Sequence, residues 1–70
     1  LDNDIKKLFG QRLKELRLSK NISQEELAFR SGLHRTYVSS VERGERNIAI
    51  VNIQKLANAL DVSTKDLLPD

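Results

Sequence analysis

Ser23-Gln24-Glu25-Glu26-Leu27-Ala28-Phe29-Arg30-Ser31-Gly32-Leu33-His34-Arg35-Thr36-Tyr37-Val38-Ser39-Ser40-Val41-Glu42-Arg43-Gly44 is the stretch whose reading decides the fold. It opens on start signals for a helix: Ser23 as N-cap, Glu26 three residues on, and Ile22 facing Leu27 across the cap. These are a capping box and a hydrophobic staple in one short segment. The helix, residues 23–31, stops at Gly32, which takes the left-handed turn that other residues resist. A second helix, residues 34–43, opens around His34-Arg35 and carries Val38 and Val41 inward until Gly44. Ala28 is small where this second helix approaches, and Leu33, Val38 and Val41 pin it to a core. Two helices that cross steeply after a short turn need these features.

Helical patterning continues on both sides. Upstream, Ile5, Leu8, Phe9, Leu13 and Leu16 recur at steps of three and four residues. That spacing predicts an amphipathic helix over residues 4–19, broken at Lys20-Asn21. Downstream, the polar Glu45-Arg46-Asn47 leads to a helix over residues 49–60 with Ile50, Ile53, Leu56, Ala57 and Leu60 as its inner stripe. Ser63 with Asp66 repeats the capping box, and Val62 with Leu67 repeats the staple. A short last helix over residues 63–68 then ends before Pro69. No segment alternates with period two for long enough to form a strand, and no repeat or linker divides the chain. The expectation is an all-α, compact five-helix domain covering residues 1–70.

Composition narrows the chemistry. The chain has 70 residues, 12 Lys and Arg against 10 Asp and Glu, a net charge of +2 and no cysteine. Disulfides, thiolate metal sites and a cysteine nucleophile are therefore excluded, and a reducing, cytoplasmic setting fits. One histidine, no glycine-rich phosphate loop and no facing carboxylate pair leave little from which to build catalysis. Neither an enzyme nor a cofactor is expected, and a lone His34 without a clustered acid makes a poor metal site. The longest apolar run, Ile48-Ala49-Ile50-Val51, is too short to span a bilayer. No charged-then-apolar leader is seen, so secretion is not expected; the chain opens on Leu1 rather than methionine, which leaves room for residues upstream. The basic isoelectric point, about 9.2, suits nucleic acid if the positive charge is clustered.

The clustering is found on the outer face of the second helix of the central pair. At about 100° per residue, Val38, Val41 and Glu42 fall inward while Thr36, Ser39, Ser40 and Arg43 point away, with Arg35 beside them. A merely solvated face on so charged a protein would carry Glu and Lys. Short hydroxyls and arginines without an acid can enter a major groove and not repel phosphate. Arg35 can donate two hydrogen bonds to guanine O6 and N7, which discriminates by about 1–3 kcal/mol. The Thr36 methyl can touch a thymine methyl, and Ser39 and Ser40 are short enough for close approach. Gln24 begins a helix whose exposed N–H groups favour a phosphate. Tyr37, Arg43, Arg46 and Asn47 are candidates for further phosphate contacts, which position the domain without reading sequence. A core-edge role for Tyr37 and a solvated one for Arg46 are the plainer alternatives. A stacking platform for RNA is not expected from one Tyr and two Phe.

On Ser23 to Ala28, Ser31 to Leu33 and Tyr37 to Gly44, the sequence resembles the lambda-repressor/Cro-like helix-turn-helix family, over about Gly10 to Leu68. The resemblance implies base contacts from Arg35, Thr36, Ser39 and Ser40, and an internal ion pair between Arg17 and Glu42. It also marks departures. Ala49 stands where a capping residue is usual, at a cost of about 1 kcal/mol. Asp61 replaces a glycine, tolerable because Asp visits the left-handed region, and Phe29 replaces a charged residue. His34, at a cap often held by Ser or Thr, is expected to cap or to be solvated. The run Leu33 to Ser39 with Glu42-Arg43 and Arg46-Asn47 looks like the restriction–modification controller proteins, stand-alone dimers that bind paired operators.

One recognition helix covers few base pairs, so specificity calls for two copies about a two-fold axis. Ile48, Val51, Leu67 and Leu68 are more apolar than a monomer surface needs and are assigned to an isologous homodimer interface. The alternative is that Leu67 and Leu68 merely close the core. Partners are thus double-stranded DNA and a second copy, with no membrane and no small-molecule ligand. The rival function is a protein-interaction module, of antitoxin or coactivator type, using Phe29 and the last helix.

Overall fold

The computed structural model describes residues 2–69, with side chains from Ile5 to Pro69. Its five helices are α1 (Asp2–Ser19), α2 (Gln24–Ser31), α3 (Arg35–Glu42), α4 (Ile50–Leu60) and α5 (Thr64–Leu67), and no strand occurs among the described residues. The expected all-α class is what is found. Each of the four later helices begins one residue after its expected start. Ser23, His34, Ala49 and Ser63 are N-caps with extended backbone, at φ between −85° and −73°. A cap already accepts the first intrahelical bond while lying outside the helix.

The caps differ in quality. Ser23 Oγ accepts from the Glu26 N–H at 3.0 Å, but the Glu26 carboxylate turns to Arg30 at 2.7 Å, so only half of the expected capping box forms. At Ser63 the Asp66 carboxylate accepts from the Ser63 N–H at 3.1 Å and from its hydroxyl at 3.2 Å. Neither His34 nor Ala49 offers a side-chain cap bond. Helix ends use the left-handed region where it was expected: Gly32 at φ 73°, and Asp61 at φ 58° closing α4.

α1 packs on α3 and α5, α2 on α3 and α4, and α4 on α5. The buried core joins Phe9 and Leu13 of α1, Leu27 and Ala28 of α2, and Val38 and Val41 of α3. Leu56, Ala57 and Leu60 of α4 and Leu67 of α5 complete it. α1 crosses the end of α3 at Gly10, where a Cβ would lie 2.3 Å from the Val41 carbonyl oxygen. The approach therefore requires a residue with no side chain.

Three expectations about the core are corrected. Ile5 and Leu8, assigned to the inner stripe of α1, are more than half exposed, because the helix overhangs the core it covers. Ile50 is 80% exposed, since it opens α4 one turn before the stripe meets its neighbours. Leu67, assigned to a dimer surface, is fully buried and closes the core instead.

Candidate nucleic-acid interface

The turn between α2 and α3 is built from backbone bonds. The Gly32 N–H donates to the Phe29 carbonyl at 3.4 Å and the Leu33 N–H to the Ala28 carbonyl at 3.1 Å. This crossed pair is a Schellman closure, which satisfies two end carbonyls of α2 and turns the chain sharply into α3. Leu33 packs against the core just after it, so the start of α3 is fixed from both sides. Val38 and Val41, 0% and 1% exposed, set the rotation of α3 about its axis.

Arg17 and Glu42 set its tilt. Arg17 Nε and Nη2 donate to the two Glu42 carboxylate oxygens at 2.7 and 3.1 Å, and Nη1 donates to the Ile22 carbonyl at 2.9 Å. Both side chains are buried. The fork-on-fork geometry fixes direction as well as distance, so α1, the α2 start and the α3 end are held by one group. Gln24 joins the same group, donating from Nε2 to Glu42 Oε1 at 2.9 Å. The Gln24 side chain is thus occupied inside the protein, and only backbone N–H groups remain at the α2 start.

With that frame fixed, the outer face of α3 leaves Arg35 and Thr36 exposed and Ser39 half-buried beside Arg43. Among the described residues no carboxylate pairs with Arg35. The acid within α3, Glu42, is turned inward, so its charge is spent on Arg17. His34, at the cap, is exposed. Ser40 is not on this face in any useful sense and its assignment there is corrected: it is 6% exposed. Its hydroxyl donates to the Tyr37 carbonyl at 2.8 Å and accepts from Arg46 Nε at 3.0 Å. The loop after α3 folds Arg46 back over it.

That loop treats its two arginines differently. The Arg46 guanidinium lies 5.3 Å from the centre of the Tyr37 ring, a cation–π distance, and the Tyr37 hydroxyl accepts from Asn52 Nδ2 at 3.0 Å. The hydrogen-bond and ring partners of Arg46 are neutral, and its charge acts on the Glu45 carboxyl only through space. Arg43 instead pairs with Glu45, with Nε and Nη2 on the two oxygens at 3.0 and 3.1 Å, and its Nη1 donates to Ser39 Oγ. The hydrogen bond from Arg43 holds the Glu45 carboxyl below the usual carboxylate range and raises the guanidinium in turn. Asn47 is exposed next to Arg46. Asn52 and Glu45 went unread in the sequence, because neither carries a spacing signal and both act through the path of the loop.

On another side, Ile48, Ile53 and Leu68 line a shallow apolar groove that runs from Ile50 and Val51 to Ile5 and Phe9. Val51 is 61% exposed and Leu68 48%, while Ile48 is packed partly against the core. No helix of the described residues is long and apolar enough to cross a membrane.

The sequence profile of the helix-turn-helix family matches residues 13–67. The control protein C.BamHI of Bacillus amyloliquefaciens is 55% identical over 69 residues, covering 97% of this chain and 85% of that protein. The transcriptional regulator SinR of Bacillus subtilis is 39% identical over 64 residues, covering 90% and 58%. In structure, the restriction-modification controller protein C.AhdI from Aeromonas hydrophila superposes with a TM-score of 0.89 at 59% identity, covering 90% of this chain and 96% of that one. Over nearly its whole length, therefore, the chain belongs to the helix-turn-helix family of DNA-binding transcription regulators.

Proposed function

We propose that this protein is a restriction–modification controller protein that binds a two-fold symmetric operator as a homodimer, with α3 in the major groove. The observation that carries this is the outer face of α3: Arg35, Thr36 and Ser39 face outward while the helix's own acid is buried against Arg17. Arg35 and Thr36 are the base readers, joined by Ser39 once its hydroxyl is released. Arg43, Arg46, Asn47 and the backbone at Gln24 hold phosphates, and Tyr37 acts mainly by seating Arg46. The similarity to two controller proteins supports the same biological role.

Size argues for two copies. Half-sites one helical turn apart lie about 34 Å from each other, and the longest Cα extent of one chain is 30 Å. A single copy, whose recognition helix covers only a few base pairs, leaves the second half-site unread. Val51, Leu68, Ile50 and Ile5, grouped around the groove at Ile48, form the surface we assign to the two-fold contact. The test is selection from a random duplex pool at near-physiological salt with wild type and Arg35→Ala. An enriched palindrome, lost in the variant, is expected; no enrichment by either protein refutes the specific-reader role. Leu68→Asp is expected to shift the protein toward monomer in sedimentation, and an unchanged dimer refutes the assigned surface.

A second reading, a protein-interaction module on the same fold, is favoured by Phe29, which is 83% exposed. Arg35→Ala separates the two: it abolishes sequence-specific DNA binding and leaves a complex through α2 intact.

A further inference from the structure

Arg43 and Glu45 form an ion pair that does little for the fold. Their side chains are 55% and 56% exposed, and exposed pairs are screened and contribute little to stability. The pair instead lies beside the face assigned to DNA. Glu45 fills the Nε–Nη2 fork of Arg43 with two oxygens, the same planar, bidentate arrangement that an arginine offers to a phosphate. The remaining contact of that guanidinium, from Nη1, ties down the hydroxyl of Ser39. Arg46, three residues on, is held by a ring and a hydroxyl, and among the described residues no carboxylate fills its fork.

We propose that Glu45 is a positioning residue that stands in for a DNA phosphate on Arg43, closing Arg43 and Ser39 together in the free protein. DNA binding then exchanges one anion for the other: a phosphate takes the fork, Arg43 swings toward it, and the Ser39 hydroxyl is released toward the bases. The proposal rests on the reading of α3 as the DNA-facing helix. Its consequence is a lowered affinity for duplex of any sequence, because each Arg43 contact must first displace a carboxylate. Phosphate contacts supply essentially all of non-specific binding, so such a competitor acts where the protein must leave random DNA quickly.

The test combines Glu45→Gln and Arg43→Ala, singly and together, on a random-sequence duplex across a range of salt. Glu45→Gln keeps the shape of the side chain and removes its charge. It is expected to tighten binding and to steepen the slope of log K against log salt by up to about 0.9 for each subunit bound. In the Arg43→Ala background the same change is expected to leave affinity and slope where they were, because the effect travels through Arg43. Equal tightening with and without Arg43 overturns the proposal, since that is general repulsion, and so does no tightening at all. A second readout is the carboxyl carbon shift of Glu45 followed against pH. Saturating duplex is expected to move its titration up toward the ordinary carboxylate range, and an unchanged titration overturns the exchange. Wild type that binds duplex while the Glu45 change is silent removes this proposal alone. Wild type that binds no duplex removes the reading beneath it as well.

Discussion

Gly10→Ala is expected to destabilise the protein, although helix propensity taken alone predicts the reverse. Gly10 lies in the interior of α1, where alanine is ordinarily favoured over glycine by about 0.5–1 kcal/mol. The added methyl, however, would sit 2.3 Å from the Val41 carbonyl oxygen and 2.6 Å from that of Glu42. Both are backbone atoms, which cannot turn aside as a flexible side chain would. To restore the 3.0 Å that real Cβ contacts keep, α1 and the last turn of α3 must part by about 0.7 Å. Overpacking of this kind costs about 1–3 kcal/mol, and the parting also pulls on the 2.7 Å contact between Arg17 and Glu42. After the propensity gain is set against it, the net loss at the middle of these ranges is about 1 kcal/mol. For a domain of this size that lowers Tm by roughly 4–8 °C. Thermal unfolding followed by circular dichroism reads the effect directly. A Tm equal to or above that of wild type would refute the close crossing of α1 over α3, and with it the placement of the outer face of α3.

Other expectations concern single contacts. Glu42→Ala leaves the buried Arg17 guanidinium without its counter-charge and is expected to cost about 3–5 kcal/mol in urea denaturation, against a total on the order of 4–10 kcal/mol for a chain of this length. Arg17→Met with Glu42→Leu removes both charges and is expected to unfold much nearer to wild type; a double variant as unstable as the single one would show that the pair stabilises the fold in its own right. Ala49→Ser supplies the missing cap of α4 and is expected to raise stability by about 1 kcal/mol, with no gain telling against the N-cap position of residue 49. Leu67→Ala is expected to cost about 2–5 kcal/mol, whereas Leu68→Ala, on a half-exposed neighbour, changes stability little; equal costs would contradict their opposite burial.

Much of the fold was legible because caps and periodicity are local. Ser23, Gly32 and Val38 report on their own neighbourhoods, and the Schellman closure at Gly32 depends on a few backbone groups. Periodicity fixes the angle of a side chain around its helix and says nothing of what lies at that angle. α1 runs about 27 Å at 1.5 Å per residue, longer than the 21–22 Å of the molecule's shorter axes. Ile5 thus has the right phase and too little protein opposite it to be buried. The crossing at Gly10 was not read at all, since a glycine inside a helix looks locally like a weakness and acquires its reason from a carbonyl of another helix.

Ser40 shows the same limit from the opposite side. By phase it stands away from Val38 and Val41, where a base reader belongs, yet it is buried, because the chain after Gly44 returns Arg46 onto it and onto the Tyr37 ring. A residue legible as a reader thereby becomes the support of another side chain. The outer face is correspondingly narrower than the sequence implies, with Arg35 and Thr36 at its centre and Ser39 held in reserve by Arg43. The charge that faces outward is set by the loop as much as by the helix: Glu42 is withdrawn into the core, Glu45 cancels Arg43, and Arg46 alone in that loop rests on neutral partners. Substitutions in residues 43–46 are therefore expected to alter overall DNA affinity more than base preference, and substitutions at Arg35 and Thr36 the reverse. Binding of one variant of each kind to the selected operator and to random duplex decides the matter, and a fall in both affinities in equal proportion for Arg35→Ala would contradict this division.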